Sequence, residues 1–431
     1  MNSVWTESVE LPIFRPLNRD LKTDVLIIGG GMAGLLILDR LTKLGCDCTL
    51  VEADTICSGI TKNTTAKITS QHGLIYADLL RRYGEHKAYG YMKVNEEAIY
   101  EYRKLCEKID CDFEDKDSFV YSVDDRRKLE KEMNALNKIG CKSEFVDNIP
   151  LPVETVGAIK FGGQAQFNPL KFIAQIAKNL NIYEHTRVIE IRGNTAITDK
   201  FKIEAKRIIV ATHFPFINKH GLYFFKMYQH RSYVVMLENA ADVGGMYVDE
   251  DKKGLSFRNY GNNLLIGGGS HRTGKKGGNY RELREFSRKH YPESNIVGQW
   301  ATQDCMTLDG VPYIGKYSKN TENLYVATGF NKWGLTGAMV SAMILTDMVR
   351  DKVNPYEEIF NPSRSMLHLQ LFANSFEVVG NLLFPTAKRC PHLGCALKWN
   401  PVEHTWDCPC HGSRFTEDGK LIDNPVTGDL K

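Results

Sequence analysis

Asp24-Val25-Leu26-Ile27-Ile28-Gly29-Gly30-Gly31-Met32-Ala33-Gly34 decides the fold of the larger part of this chain. The unbroken apolar run Val25 to Ile28 is the pattern of a strand buried on both faces. Gly29, Gly31 and Gly34 follow in the frame G-x-G-x-x-G, and the apolar periodicity beyond them predicts a helix to about Leu44, stopped by Gly45. A second strand, Cys48-Thr49-Leu50-Val51, ends in Glu52. A glycine frame alone is a weak signal. At a strand-to-helix turn, with an acid closing the next strand, it is the dinucleotide fingerprint. Gly29 permits the tight turn, Gly31 lets the backbone approach a pyrophosphate, and Gly34 allows close helix–strand packing. The N-terminus of the helix faces the phosphate charge, and Glu52 is placed to accept from a ribose.

The rest of the chain separates a flavin from a nicotinamide dinucleotide. Ser58 to Lys67 is a second polar, glycine-containing loop soon after Glu52, suited to wrapping phosphate and flavin. Lys206 to Thr212 reads as a late strand ending in small residues. Asp309 to Gly315 precedes the strand Leu324 to Thr328, which runs into Gly329-Phe330-Asn331-Lys332-Trp333-Gly334-Leu335-Thr336-Gly337 and another helix. The N–H groups at the start of that helix suit a flavin pyrimidine ring, where negative charge collects on reduction.

Two C-terminal runs carry a different chemistry: Cys390-Pro391-His392-Leu393-Gly394-Cys395 and Cys408-Pro409-Cys410-His411-Gly412-Ser413. Cys390 with His392 and Cys408 with His411 form two short loops that can close on one centre. A tetrahedral zinc ion accepts two Cys and two His. Zinc gives no role to Cys395, Cys410, or the small Gly394, Gly412 and Ser413. A [2Fe–2S] cluster does, because backbone N–H groups and a hydroxyl beside its sulfurs tune potential. The spacing favours the cluster, with Cys390 and Cys408 on one iron and His392 and His411 on the other.

At 431 residues, 42% hydrophobic and 25% charged, the chain has the composition of a globular protein of two or three domains. A net charge of +3 is no argument for a nucleic-acid partner. No apolar run approaches the roughly 18 residues of a membrane span. Met1 to Glu10 lacks the layout of a signal peptide. Seven of the eleven cysteines lie scattered outside the cluster motif, the usage of a reducing cytoplasm.

From about Val4 to Arg350 the chain resembles the FAD-dependent amine and amino-acid oxidoreductases, which include D-amino-acid oxidase, glycine oxidase and sarcosine oxidase. Residues from about Arg389 onward resemble Rieske domains. Val4-Trp5, Asn63 to Thr69 and Trp300 to Asp304 are similar to a bacterial subgroup that combines the two. The resemblance implies an α/β, Rossmann-like (GR2-type) FAD domain with an inserted α+β substrate domain, then a small all-β Rieske domain. The expected boundaries are FAD-binding pieces at about 1–90, 150–225 and 300–350, a substrate domain from about 90–150 and 226–300, a linker over 351–380, and the Rieske domain over 381–431. Tyr228 to Leu237 and Leu264 to Gly269 read as strands of the substrate domain. Rieske domains carry several strands before the first cluster loop, and Met366 to Lys388 has room for two.

The resemblance carries FAD contacts onto Gly29, Gly31, Met32, Ala33, Gly34 and Glu52, and onto Thr61, Thr64, Thr65, Ala66 and Lys67. It carries further contacts onto Val188, Ala211 and Thr212, and onto Gly329, Lys332, Trp333, Gly334, Leu335 and Thr336. It implies a Cys395–Cys410 disulfide between the cluster loops. Arg231, Tyr233, Arg258 and His271 are the candidates for holding a substrate carboxylate, Arg231 foremost because a guanidinium pairs carboxylates bidentately. His72 and His213 fall close to the flavin loops, where packed histidines are the simpler reading.

The expected activity is hydride transfer from a C–H next to nitrogen, in an amine or amino acid, to FAD. Electrons then leave singly through the cluster to an external one-electron carrier. The reverse direction, or a non-enzymatic redox sensor, uses the same parts. A Rieske oxygenase needs a further mononuclear iron site, for which the sequence leaves no room. A nicotinamide-dependent reductase wants a second fingerprint, and Gly267 to Gly269 is not followed by a helical pattern.

Overall fold

The computed structural model describes residues 3–251, 254–277, 279–366, 368–385 and 388–430. The strand Leu21–Ile28, the helix Met32–Lys43 and the strand Cys48–Val51 form where the fingerprint requires them. Leu21–Ile28 lies parallel between Cys48–Val51 and Lys202–Val210, with Ile28 level with both Val51 and Val210. Leu324–Thr328 adds in parallel beyond Val210, giving an eight-stranded sheet whose central strands all end at the Gly29 turn. Leu35, Leu36, Ile37 and Leu38 bury one side of the helix against this sheet and the other against the helix Gly334–Met348. A helix covered on both sides is apolar nearly all round, as the sequence is.

The second eight-stranded sheet runs Asn295–Thr307, Met227–Glu238, Asn263–Arg272, Ser256–Tyr260, Met246–Asp249, Ser118–Ser122, Gly157–Phe161, Glu144–Val146. Both insertions contribute to it, and Gly157–Phe161 and the second half of Asn295–Thr307 reach it from outside the expected limits. Met227–Glu238 is antiparallel to both neighbours, so successive residues face opposite sides. Val234 and Trp300 pack into the core of the FAD-binding part, while Tyr233, Val235 and Leu237 pack on the opposite face under the helix Tyr280–His290. In the first insertion the charged run forms the helices Tyr76–Cys106, interrupted at Gly84 (φ +78°), and Arg126–Lys138, whose Leu129 and Leu136 face inward.

The C-terminal part is a four-stranded antiparallel sheet, Lys398–Asn400, Thr405–Asp407, Arg414–Thr416 and Leu421–Asp423. Two corrections belong here. The strands expected between Met366 and Lys388 are instead one helix, Leu369–Leu383, capped by the His368 imidazole accepting from Gln370 N–H at 3.1 Å. Its polar positions recur at helical rather than alternating spacing, with Asn374 and Asn381 buried on one side. The expected linker over 351–380 is also packed: Phe360 is buried, and Arg364 forms an ion pair with Asp309 in the FAD-binding part. The base beneath the cluster loops is therefore completed by this helix and by the second sheet.

Candidate flavin cavity and cluster site

The glycine turn opens onto a cavity of about 1770 Å³, larger than the roughly 300–1,000 Å³ of ordinary small-molecule pockets. Gly29 sits at φ +113°, where a Cβ would lie 2.8 Å from the Ala211 carbonyl oxygen; a Cβ on Gly34 would lie 2.0 Å from the Gly29 oxygen. Only glycine fits either place. At Gly31 a Cβ would meet Thr61 Oγ1 alone, at 3.4 Å, so the space before the turn is open. The helix behind it has no side-chain cap, and Met32 N–H reaches only Thr61 Oγ1, at 3.1 Å. Open backbone before an uncapped helix N-terminus fits a pyrophosphate. Glu52 accepts from Gly30 N–H at 2.6 Å and Asp54 N–H at 3.0 Å, and burial pushes its carboxyl up.

Met32, Ala33 and Glu52 line one end of this cavity, with Ala211 and Thr212 beside them. Thr61, Thr64, Thr65 and Lys67 form one wall; Lys332, Trp333, Gly334 and Leu335 form another. Burial, helped by Arg258, pulls the Lys67 ammonium down to about 7. Gly34, Ala66, Gly329 and Thr336 stand behind this surface. Gly329 makes its turn at φ +72°, and Thr336 Oγ1 lies 3.0 Å from His72 Nε2. Val188 is buried in the core, and its neighbour Arg187 borders the cavity instead. His72 also borders it, stacked on Trp333, with burial holding its imidazole at about 3 and therefore neutral.

The four substrate candidates are placed differently from the expectation. Arg258 is buried and donates to the carbonyls of Thr65, Ala66 and Asn259, so it fastens the 64–67 loop from behind. Arg231 and Tyr233 also border this cavity, but from the other face of Met227–Glu238 than Ser232 and Val234, and both are engaged by other side chains. Arg231 forms a fork with Glu403 of the C-terminal part, through Nε at 3.1 Å and a second, shorter contact. Tyr233 Oη pairs with His271 Nε2 at 3.1 Å, and the two rings stack. The face toward the flavin carries Tyr228, His230, Ser232 and Val234, with Trp300, Thr302 and Asp304 opposite on Asn295–Thr307. Ser232 and Ser270 hydroxyls are 3.1 Å apart, and Lys332 Nζ donates to Ser270 at 2.7 Å. Burial pushes the Asp304 carboxyl up, partly opposed by the Lys332 charge. Strand alternation separates 230, 232 and 304 from 231 and 233, but nothing local says which set meets the flavin.

In the C-terminal loops His392 Nδ1 and His411 Nδ1 converge to 3.2 Å. Their other nitrogens are held apart: His392 Nε2 at Asn218 Oδ1, 2.7 Å, and His411 Nε2 at the Phe224 carbonyl, 3.0 Å. The two Nδ1 atoms are thus placed so that one iron could bind both, with each tautomer set from outside. Cys390 and Cys408 are buried beside them. Hydrogen bonding to Cys390 holds the Cys408 thiol down, aided by backbone N–H groups of His411, Cys410 and Gly412, and the Ser413 hydroxyl points at Cys390. Cys395 and Cys410 form the expected disulfide. Their sulfurs lie within 4.8 Å of Cys408, but sulfurs spent in a disulfide are not thiolate ligands.

These loops rest on the second sheet. Gln229 Nε2 donates to the His411 carbonyl at 2.7 Å, and Gln303 Nε2 to the Gly412 carbonyl at 2.9 Å. Arg272 reaches the carbonyls of Pro409 and Cys410. Gln229 Oε1 in turn meets His213 Nε2 at 3.1 Å, and His213 borders the cavity.

Comparison with known proteins agrees with both halves. The family described as FAD dependent oxidoreductase matches residues 24–348, and the Rieske [2Fe-2S] domain matches residues 362–431. A protein of Bacillus subtilis (strain 168), named YhfW as a Rieske 2Fe-2S iron-sulfur protein, is 33% identical over 99% of this chain and 96% of its own length. Glycine oxidase from Geobacillus kaustophilus is similar in structure, with a TM-score of 0.67 and 19% identity, covering 80% of this chain and all of that one. L-Proline dehydrogenase from P. horikoshii gives a TM-score of 0.66 at 19% identity, over 80% of this chain and 98% of its own. The open glycine turn and the converging imidazoles thus have their explanation: the chain belongs to the FAD-dependent oxidoreductases, with FAD as cofactor and a C-terminal Rieske domain for a [2Fe–2S] cluster.

Proposed function

We propose that the protein is a dehydrogenase that oxidises an amine or amino acid at a CH–NH or CH–NH2 group and passes the electrons singly to an external one-electron carrier. FAD would supply the two-electron oxidation and the Rieske cluster the one-electron exit. The observation that carries this reading is the two-faced strand Met227–Glu238. Tyr228, His230 and Ser232 on one face border the flavin cavity, and Gln229 on the other face joins His213, which also borders it, to the main chain of His411. A single side chain, Gln229, thus bridges a residue that borders the cavity and the loop that carries His411.

On the cavity face, Lys332 with the Ser270 hydroxyl offers donors to a carboxylate, and Asp304 offers an acceptor to an amino group. Arg231 is committed to Glu403, so Lys332 takes the role first expected of it. Glycine oxidase and L-proline dehydrogenase, which share the fold, are named for amino-acid substrates. Action in the cytoplasm is supported by the seven cysteines outside the cluster loops, all of which remain free thiols.

Anaerobic addition of a panel of amines and amino acids tests the reading. At least one should bleach the flavin absorbance. Asp304→Asn should raise the half-saturating concentration by about 10-fold or more, the worth of a hydrogen bond to a charged group. No bleaching by any member, or an unchanged concentration dependence in the variant, would refute it.

A further inference from the structure

The helix Leu369–Leu383 is built inside out. Its inward stripe carries Val378, which packs into the core of the C-terminal part, but is otherwise polar: Asn374 is 1% exposed and donates to the Phe225 carbonyl, and Asn381 is held with Glu377 and with Ala396 N–H. Its outward stripe is apolar: Phe372 is 59% exposed, Phe376 78%, Val379 54% and Leu383 78%. These four recur at intervals of four, three and four residues, one continuous apolar face about 16 Å long on the helix. A surface helix in water has the opposite arrangement. The helix itself carries one charged residue, Glu377, and Lys275 neutralises it at 2.6 Å.

The apolar face continues into the exposed Phe384 and, past Leu382, into the cluster loop at Leu393. Cations rim that end. Arg389 is pinned by its guanidinium to the carbonyls of Leu382, Phe384 and Gly394. Lys398 lies over the Phe384 ring and Lys388 over Trp406. Among the described residues no acidic side chain forms a salt bridge with any of the three. A second copy of this helix would bring apolar surface but no anion, since Glu377 is already engaged. An anionic lipid surface brings both: acyl chains for the aromatic stripe and headgroup charge for the basic rim.

We propose that this helix lies flat on an anionic membrane surface, with Leu393 of the cluster loop at the edge of the lipid contact. The full-length protein with both cofactors is sedimented with vesicles of phosphatidylcholine alone or with added phosphatidylglycerol. Retention should be at least about tenfold stronger on the anionic vesicles and should weaken with salt. Phe376→Glu with Leu383→Glu should abolish it, and Lys388→Gln with Arg389→Gln should remove the preference for anionic lipid. Both sites are exposed, and unchanged flavin absorbance and circular dichroism confirm that the variants fold. Failure of the wild type to bind either vesicle overturns the proposal, as does binding unaffected by the double glutamate. A dimer that the double glutamate dissociates, without vesicle binding, would assign the face to a second copy instead.

Discussion

Arg364→Met should destabilise the whole FAD-binding part, although Arg364 lies in a stretch that reads as linker. The guanidinium is buried and grips Asp309 as a fork, Nε to Oδ2 at 2.6 Å and NH2 to Oδ1 at 2.8 Å. It also donates to the Pro312 carbonyl at 3.0 Å and lies 4.0 Å from the centre of the Tyr313 ring. Asp309 accepts from Tyr83 Oη at 2.7 Å and Val311 N–H at 3.1 Å. Burial pushes the Asp309 carboxyl up, but the Arg364 charge and hydrogen bonds outweigh it and leave it at about 2. Removing one partner of a buried pair costs about 3–5 kcal/mol, because the other charge stays buried. For 431 residues, about 2.1 cal/mol/K per residue gives an unfolding entropy near 0.9 kcal/mol/K, hence a fall in Tm of roughly 3–6 °C. Adding Asp309→Asn should recover part of it. Because the folded carboxyl titrates below its ordinary 3.8, the pair stabilises fully above that value. That contribution, about 2 kcal/mol, should vanish as pH falls towards about 2. Differential scanning calorimetry measures each case. A Tm change under about 1 °C in Arg364→Met, or a double variant less stable than the single, would refute the reasoning.

Gly31→Val should give protein that carries its cluster but no FAD, because the side chain fills the space before the helix N-terminus; FAD retained at full occupancy would contradict the placement. His392→Ala or His411→Ala should remove the rhombic low-g EPR signal of the reduced protein while FAD absorbance remains. Iron content and EPR unchanged in either variant would overturn the ligand assignment. Gln229→Leu keeps the side-chain volume but strands the His411 carbonyl and His213 Nε2, at a cost of about 1–3 kcal/mol. It should leave FAD and iron occupancy intact and slow electron exchange between the centres, measured by stopped flow; an unchanged rate would remove Gln229 from the account.

The parts legible in sequence were those whose chemistry is local. Gly29, Gly31 and Gly34 are demanded by one turn, and Glu52 by the end of the adjacent strand. Cys390, His392, Cys408 and His411 announce themselves by spacing within two loops. What sequence could not show depends on which surfaces meet. Arg231 and His230 are adjacent in the chain and on opposite faces of one strand, and only the packing of the sheet between two domains assigns Ser232 and Asp304 to the flavin side. Arg258 resembles a substrate anchor until the 64–67 loop is seen closing over it. Arg364 meets Asp309 across 55 positions. The helix Leu369–Leu383 hides for another reason: its apolar residues mark exposed surface, against the usual rule that apolar means inside.

The central claim is that flavin and cluster exchange electrons within one chain, through the Gln229 side of Met227–Glu238. It is tested most directly by photochemically reducing the flavin in anaerobic protein and following both centres by absorbance in time. The account predicts that the cluster becomes reduced as the flavin reoxidises, with a first-order rate independent of protein concentration. A rate that scales with protein concentration, or a cluster that stays oxidised while the flavin remains reduced, would contradict it.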